Sequence, residues 1–320
     1  MSGLKMVCIG TAAQDVFLMG EVFTPQCEEG ICYEHLKLGD KLSVENMVFA
    51  TGGNAMNASV TFARQGLETS FISVVGKDPA AAAILSDLDA ESIHSQYVVS
   101  DPKYATSYSV VLLAPNGERT ILNCHGEPLS SIAETVSSSA LRGDWLYVSS
   151  LGSFDMLKSV IVTARKNGMK VAFNPASFEL ASPQECADLF SQVDLLALNK
   201  EEAQTFADGD STAELAKQLC ESVQTVLVSD GPRGAVAADG KSVYSAGMYE
   251  DVAVIDRTGA GDAFTSGFVC MIAQGKSVEE ALIFASANST SVVTQIGAKA
   301  GILHKGAELH DMDVVQTPIA

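Results

Sequence analysis

The residues best suited to chemistry lie near the C-terminus, in Asp256-Arg257-Thr258-Gly259-Ala260-Gly261-Asp262-Ala263-Phe264. Val252 to Ile255 read as a short apolar strand before them. Phe264, Phe268, Val269 and Ile272 recur after them at helical spacing. The glycines therefore fall where a strand is expected to turn into a helix. A helix start offers amides without intrahelical acceptors and the positive end of the macrodipole. Glycines at that point let a phosphate reach the backbone with no side chain between. On this reading Gly259, Ala260 and Gly261 form an anion cradle with the Asp262 carboxylate beside it. Such a carboxylate is placed to accept the proton of a hydroxyl that attacks phosphorus.

Two plainer readings fit the same stretch. An Asp following a Gly-rich turn also serves as a helix cap. A dinucleotide fingerprint matches at Gly259 and Gly261, but Phe264 fills its third small position. The turn also lies far from any opening βαβ unit, which removes that rival.

The elements that must hold these residues follow a regular rhythm from Ser130 onward. Trp145–Ser149, Val171–Asn174, Leu195–Asn199 and Val226–Ser229 are short apolar strands. Helical stretches near Asp155–Lys166, Pro183–Ser191 and Ala213–Glu221 separate them. Alternation of this kind implies a parallel sheet covered on both faces by right-handed crossovers. A hairpin over Ala235–Ala246 and two helices, Ala260–Gln274 and Val278–Thr294, complete the half. Val314 to Ala320 read as a frayed end.

The first half opens on a buried-type strand, Leu4–Ile9, and carries a helix opened by Thr51–Ala58 and running to about Gln65 and another over Asp78–Ala90, with a core strand at Phe71–Val75. Two stretches break this pattern. Tyr33–Leu38 and Leu42–Phe49 alternate as strands, as do Tyr104–Leu113 and Arg119–Cys124 around a Pro115–Glu118 turn. The expected division is a main domain of residues 1–14, 51–103 and 127–320, with residues 15–50 and 104–126 forming one small antiparallel sheet over it. Its apolar strands call for cover, so a homodimer through this sheet is expected.

Hydrophobic residues make up 47% of the 320, ample for such a core. A net charge of -19 excludes nucleic-acid backbones and anionic membranes as partners. No apolar segment follows a basic start, and no run of eighteen apolar residues occurs, so a cytoplasmic protein is expected. The seven cysteines are scattered without CxxC spacing, which predicts reduced thiols and no zinc site.

In a parallel sheet, sites form beyond the C-terminal ends of the strands. Asp15, Gly52, Gly53, Asn57, Asn174, Asn199, Ser229, Gly231 and the Gly259–Asp262 turn all fall at such ends. Asn199 and Glu202, at the start of a helix, form either a cap or the oxygen ligands of a hydrated Mg²⁺ beside phosphates. Arg119, just after the hairpin turn, is either a lid cation near the pocket or a surface charge.

With these residues assembled, the chain resembles the ribokinase-like, or PfkB, carbohydrate and nucleoside kinases over essentially its whole length. The resemblance rests on Gly52-Gly53 with Asn57, on Asn199-Lys200-Glu201-Glu202, on Ser229-Asp230-Gly231-Pro232-Arg233-Gly234, and on Asp256 to Asp262. It implies an α/β fold: a three-layer αβα domain with a mostly parallel central sheet and a small antiparallel β-sheet lid. It implies ATP-dependent phosphorylation of a hydroxymethyl group on a sugar or nucleoside, with Asp262 as base and the amides of Gly259, Ala260 and Gly261 as anion hole. Asp15, Gly53 and Asn57 would hold substrate hydroxyls. Ser229, Gly231 and Gly234 would line the triphosphate, and Asn288 the adenine side. Asp256 matches the side-chain ligand of a K⁺ site. Two departures point away from ribose itself: Asn54 stands where ribokinase has a lysine, and Gly152 where it has an acidic sugar contact.

Overall fold

The computed structural model describes residues 3–136, 138–249 and 252–319. Strands β1 (Lys5–Ile9), β2 (Ala13–Met19), β3 (Gln26–Glu28), β4 (Ile31–Tyr33), β5 (Asn46–Gly52), β6 (Glu68–Val75), β7 (His94–Ser100), β8 (Ser107–Leu113) and β9 (Arg119–Cys124) make the first half. They are followed by β10 (Trp145–Val148), β11 (Lys170–Phe173), β12 (Leu195–Asn199), β13 (Thr225–Ser229), β14 (Ala235–Ala238), β15 (Ser242–Ala246) and β16 (Val314–Pro318). The helices are α1 (Asn54–Arg64), α2 (Pro79–Ala90), α3 (Phe154–Lys166), α4 (Ser177–Leu180), α5 (Pro183–Ala187), α6 (Lys200–Ala203), α7 (Thr212–Leu219), α8 (Ala260–Ala273) and α9 (Val278–Val293).

Ten strands form the central sheet in the order β16-β15-β14-β13-β12-β11-β10-β1-β6-β7. From β13 to β7 every pairing is parallel, and β14 to β16 close the other edge antiparallel. The central strands are apolar on both sides because helices cover both faces. Phe62, Phe71, Tyr147 and Phe268 pack one face, and Ile9, Val148, Leu157 and Phe173 the other. Helix starts are fixed by side chains: Asp78 accepts from Ala81 N at 2.8 Å, and Ser277 and Glu280 cap each other's backbone.

A second sheet, in the order β5-β2-β8-β9, stands over the C-terminal ends of the central strands. Its β5–β2 and β8–β9 pairs are antiparallel, but β2 and β8 run parallel. Both of these strands leave the main sheet in the same direction, which fixes their sense. Strand β2 begins at Ala13, and residues 34–45 form no strand, so the expected strands at Tyr33–Leu38 and Leu42–Phe49 shrink to Ile31–Tyr33 and Asn46–Gly52.

Three further expectations are corrected. Val252–Ile255 is not a strand; the amides of Ile255 and Asp256 both donate to Val293 O, so the segment ends on α9 instead of in the sheet. Val314–Pro318 is not frayed but pairs with β15 at the sheet edge, and Ala320 lies outside the described residues. The thiols are not all reduced. Register in the β3–β4 hairpin sets Cys27 opposite Cys32, and the two form a disulfide. Cys8, Cys124, Cys186, Cys220 and Cys270 are free.

Candidate active site

The turn before α8 is shaped by one residue that only glycine can supply. Gly259 has φ 78°, in the left-handed region, and an added Cβ would sit 2.4 Å from the Ala298 Cβ. From there α8 opens at Ala260, and the Cβ position of Gly261 looks into open space. Ala260 N donates to Arg257 O at 3.3 Å, and the next amides of the first turn have no intrahelical acceptor before Ala263 N, which donates to Gly259 O at 2.8 Å.

The turn divides two cavities. Thr258, Gly259 and Asp262 line one of about 710 Å³, together with Asp15 from β2, Gly53 and Asn57 from the start of α1, and Ser109, Ile121, Asn123 and His125 from β8, β9 and the loop beyond. Arg257, Ala260 and Gly261 line the other, of about 550 Å³, together with Ser229, Gly231, Gly234 and Thr290. Arg119 lines both. A phosphoryl group passing from one cavity to the other would cross the amides of this turn.

Asp262 stands at the crossing. Asn57 Nδ2 donates to its Oδ2 at 2.8 Å. Burial pushes its carboxyl up to about 6; the Asn57 hydrogen bond opposes the shift and the charge of Asp15 adds to it. Asp15 is itself raised, first by burial and then by Asp256, against a hydrogen bond from Ser109 and the charge of Lys299. Its carboxylate fits because the strand opposite is bare: a Cβ on Gly52 would lie 2.1 Å from Asp15 Oδ2.

The other expected site residues are spread differently. Gly52 backs Asp15 and does not line the cavity. Asn199 and Glu202 form a reciprocal cap, Asn199 N donating to Glu202 Oε2 and Glu202 N to Asn199 Oδ1, both at 2.9 Å. The Glu202 carboxyl is raised by burial, then by Glu201 and Asp262, against the Asn199 amide. Asp256 is fully buried and takes the amides of Thr258 and Gly297, each at 2.9 Å. Asn288 is not on a cavity wall at all. It is fully buried, donates to Ala263 O at 2.8 Å and accepts from Leu303 N at 2.9 Å, pinning α9 to α8 and to the loop beyond.

Several residues of the site carry little signal in the chain. Phe178, 42% exposed, lines the larger cavity and tilts against Phe154 at 5.2 Å. Glu179, fully buried, accepts from Leu151 N and Ala176 N and so sets both loops beside it. Ser149 and Ser150, just past β10, also line the larger cavity; no sequence motif singles them out, though the rule that sites gather at strand ends points to their position.

The family model described as pfkB family carbohydrate kinase matches residues 14–305. The chain belongs to the pfkB carbohydrate kinases. It is accordingly a phosphotransferase with an alcohol acceptor, and ATP is its donor. A fructokinase of Escherichia coli is 31% identical over 248 residues, covering 72% of this chain and 79% of the relative. A ribokinase of Haemophilus influenzae is 29% identical over 276 residues, covering 83% and 88%. Among solved structures, Arabidopsis thaliana ribokinase complexed with ribose and ATP superimposes with TM-score 0.78 at 23% identity, over 94% of this chain and 96% of that one. The adenosine kinase of Sinorhizobium meliloti gives 0.77 at 20% identity, over 93% and 96%. These likenesses establish the ribokinase-like fold for this pfkB kinase.

Proposed function

We propose that this kinase transfers the γ-phosphoryl group of ATP to a hydroxymethyl group of a sugar, with Asp262 as general base and the amides of Gly259, Ala260 and Gly261 as the anion site. The observation that carries this reading is the position of Asp262, a carboxyl poised near neutrality on the divide between two cavities. Ser229, Gly231 and Gly234 line the ATP side, and Asp15, Gly53 and Asn57 receive the acceptor's hydroxyls. ATP consumption measured across D-ribose, D-fructose, other sugars and nucleosides is the test. A chain that consumes ATP with none of them would refute the reading.

A nucleoside acceptor is the second reading, and Phe178 favours it. A half-exposed ring on the wall of a cavity this large offers a face on which a base can stack. The same screen separates the two.

The residues near the turn fit cations. Glu202 spends one oxygen on the Asn199 amide, which leaves the other for a water of hydrated Mg²⁺. A positive ion there also relieves the repulsion between Glu202 and Asp262. Among the described residues no group of three His, Cys, Asp or Glu forms a metal cage, and Mg²⁺ held largely by phosphates needs none. When bound, the ion neutralises phosphate charge. Glu202→Gln is expected to raise the Mg²⁺ needed for half-maximal rate by ~10-fold, the lower end for an outer ligand, with acceptor KM unchanged. An unchanged Mg²⁺ titration returns Glu202 to a purely capping role. Asp256, with two amides on a carboxylate that has about four acceptor sites, has room for a monovalent cation.

The lid's outer face supports a homodimer. By register, Met47 and Phe49 share a face with Leu122, and the three are 54%, 61% and 55% exposed. Exposed apolar side chains on both edge strands, β5 and β9, call for a partner surface. Light scattering should give twice the chain mass, and Phe49→Asp should give a monomer; a monomeric unsubstituted chain would overturn the dimer. No helix among the described residues is long and apolar enough to cross a membrane. Dependence on ATP supports a cytoplasmic location.

A further inference from the structure

Behind the acceptor cavity lies a partly buried ionic cluster that the transfer chemistry does not use, with Lys299 and Thr51 buried and Asp87 half-buried. Lys299 is 8% exposed, and its Nζ reaches both Thr51 Oγ1 and the carboxylate of Asp87. Thr51 is 7% exposed and donates to the same Asp87 oxygen. The three groups come from distant places: the loop after α9, strand β5 and helix α2.

What Lys299 is attached to gives the cluster its interest. The loop 297–299 touches the reaction centre with each residue in turn. Gly297 N donates to Asp256 Oδ2 at 2.9 Å, fixing the start of the phosphate motif. Ala298 packs against Gly259, whose left-handed turn lies directly on the Ala298 backbone. Lys299 then crosses to Thr51, the residue before Gly52, and Gly52 is the strand position that closes on Asp15. Arg64 clamps the same loop from below, its Nη1 donating to Lys299 O at 3.0 Å and Ile302 O at 2.8 Å while its other nitrogens hold Glu91. The loop is thus a strap with one end on the phosphate turn and the other on the acceptor strand.

A buried ion pair contributes little net stability, because desolvation consumes most of the Coulombic gain, and apolar residues of similar volume do as well. What such a pair supplies is one fixed geometry. Transfer depends on that geometry, since the acceptor oxygen and the phosphoryl group must meet within a few tenths of an ångström.

We propose that Lys299 is a positioning residue, holding the acceptor strand at Thr51 in register with the phosphate turn at Gly259. The proposal rests on the assignment of Asp15 to the acceptor and of the turn to phosphate. The Lys299 charge also favours the ionised form of the Asp15 carboxylate.

The test uses the full chain and ATP consumption with D-ribose, D-fructose and adenosine. Lys299→Met alone leaves the half-buried Asp87 without its partner, so the informative variants are Lys299→Met with Asp87→Leu, which removes both charges, and Thr51→Val, which removes only the hydroxyl. Both are expected to lower kcat/KM for the acceptor by ~10–100-fold, the cost of misplacing reacting groups by about an ångström. KM for ATP should stay within about twofold, and the double variant should melt no lower than the unsubstituted chain. Acceptor kcat/KM unchanged in both variants, or equal losses for acceptor and ATP, would overturn the proposal while leaving the kinase assignment standing. Failure of the unsubstituted chain to phosphorylate any acceptor refutes the assignment itself.

Discussion

Asp262→Asn is expected to lower kcat by ~10²–10⁴-fold, the range for loss of a positioned general base. The substitution keeps the shape of the side chain and its hydrogen bond from Asn57 Nδ2, so ATP and acceptor should still bind. The base must be ionised to accept the hydroxyl proton, and its carboxyl is pushed up to about 6. Rate at limiting substrate should therefore fall as pH drops through about 6 and level off above it. Stability moves the other way. A carboxyl with its folded pKa above the unfolded value binds protons in the native state that the unfolded chain releases. Folding thus loses stability as pH rises from the ordinary carboxylate range through about 6, and that loss is complete above it. An amide at this position carries no such charge, so at pH 8 the Asp262→Asn protein should melt higher than the parent. Near-normal turnover in this variant would show that the base lies elsewhere, and an unchanged melting temperature would show that burial does not strain Asp262.

How much of this was legible depends on where each residue's signal comes from. Strands β1, β10, β12 and β13 are buried on both faces and read as apolar runs, and the capped helices between them announce their own starts. Strand β7, His94–Ser100, gives no such signal, because an edge strand with polar and half-exposed positions resembles a loop. Val252–Ile255 is apolar without being a strand: Val252 and Val254 line the smaller cavity, and the Ile255 amide donates to Val293 O at the end of α9. Cys27 and Cys32 become partners only through a hairpin register that their spacing alone does not fix. Motif residues were visible because glycines and carboxylates at strand ends are costly without a role. Asn288 shows the limit of that logic: its hydrogen bonds to α1, α8 and the loop beyond α9 serve packing, and only the fold shows that it faces inward. Lys299 is the converse case, a lysine whose sequence context reads as surface and whose side chain is buried in the structure.

The second large effect is expected at Arg119. It stands at the start of β9, reached over the Pro115–Glu118 turn, and its side chain lines both cavities. Its Nε is buried with no hydrogen-bond partner among the described residues. A guanidinium carries five donors in a fixed fork, and leaving one buried and unpaired is costly unless a ligand meets it. Arg257 Nε likewise lacks a hydrogen bond among the described residues, but it lies 3.2 Å from Glu118 Oε1, an ion pair that ties the lid turn to the phosphate motif. Arg119, on the lid and on the wall of both cavities, is therefore expected to meet phosphoryl oxygens as charge builds on them during transfer. Arg119→Ala should lower kcat by ~10²–10³-fold, below the full effect of an arginine finger because the turn amides remain. Arg119→Lys should recover only part of the loss, since an ammonium group lacks the planar fork. Binding of ATP, measured without acceptor, should change little. A surface charge would behave otherwise: Arg119→Ala with kcat within about twofold of the parent would place this side chain outside the reaction and leave phosphate stabilisation to the turn alone.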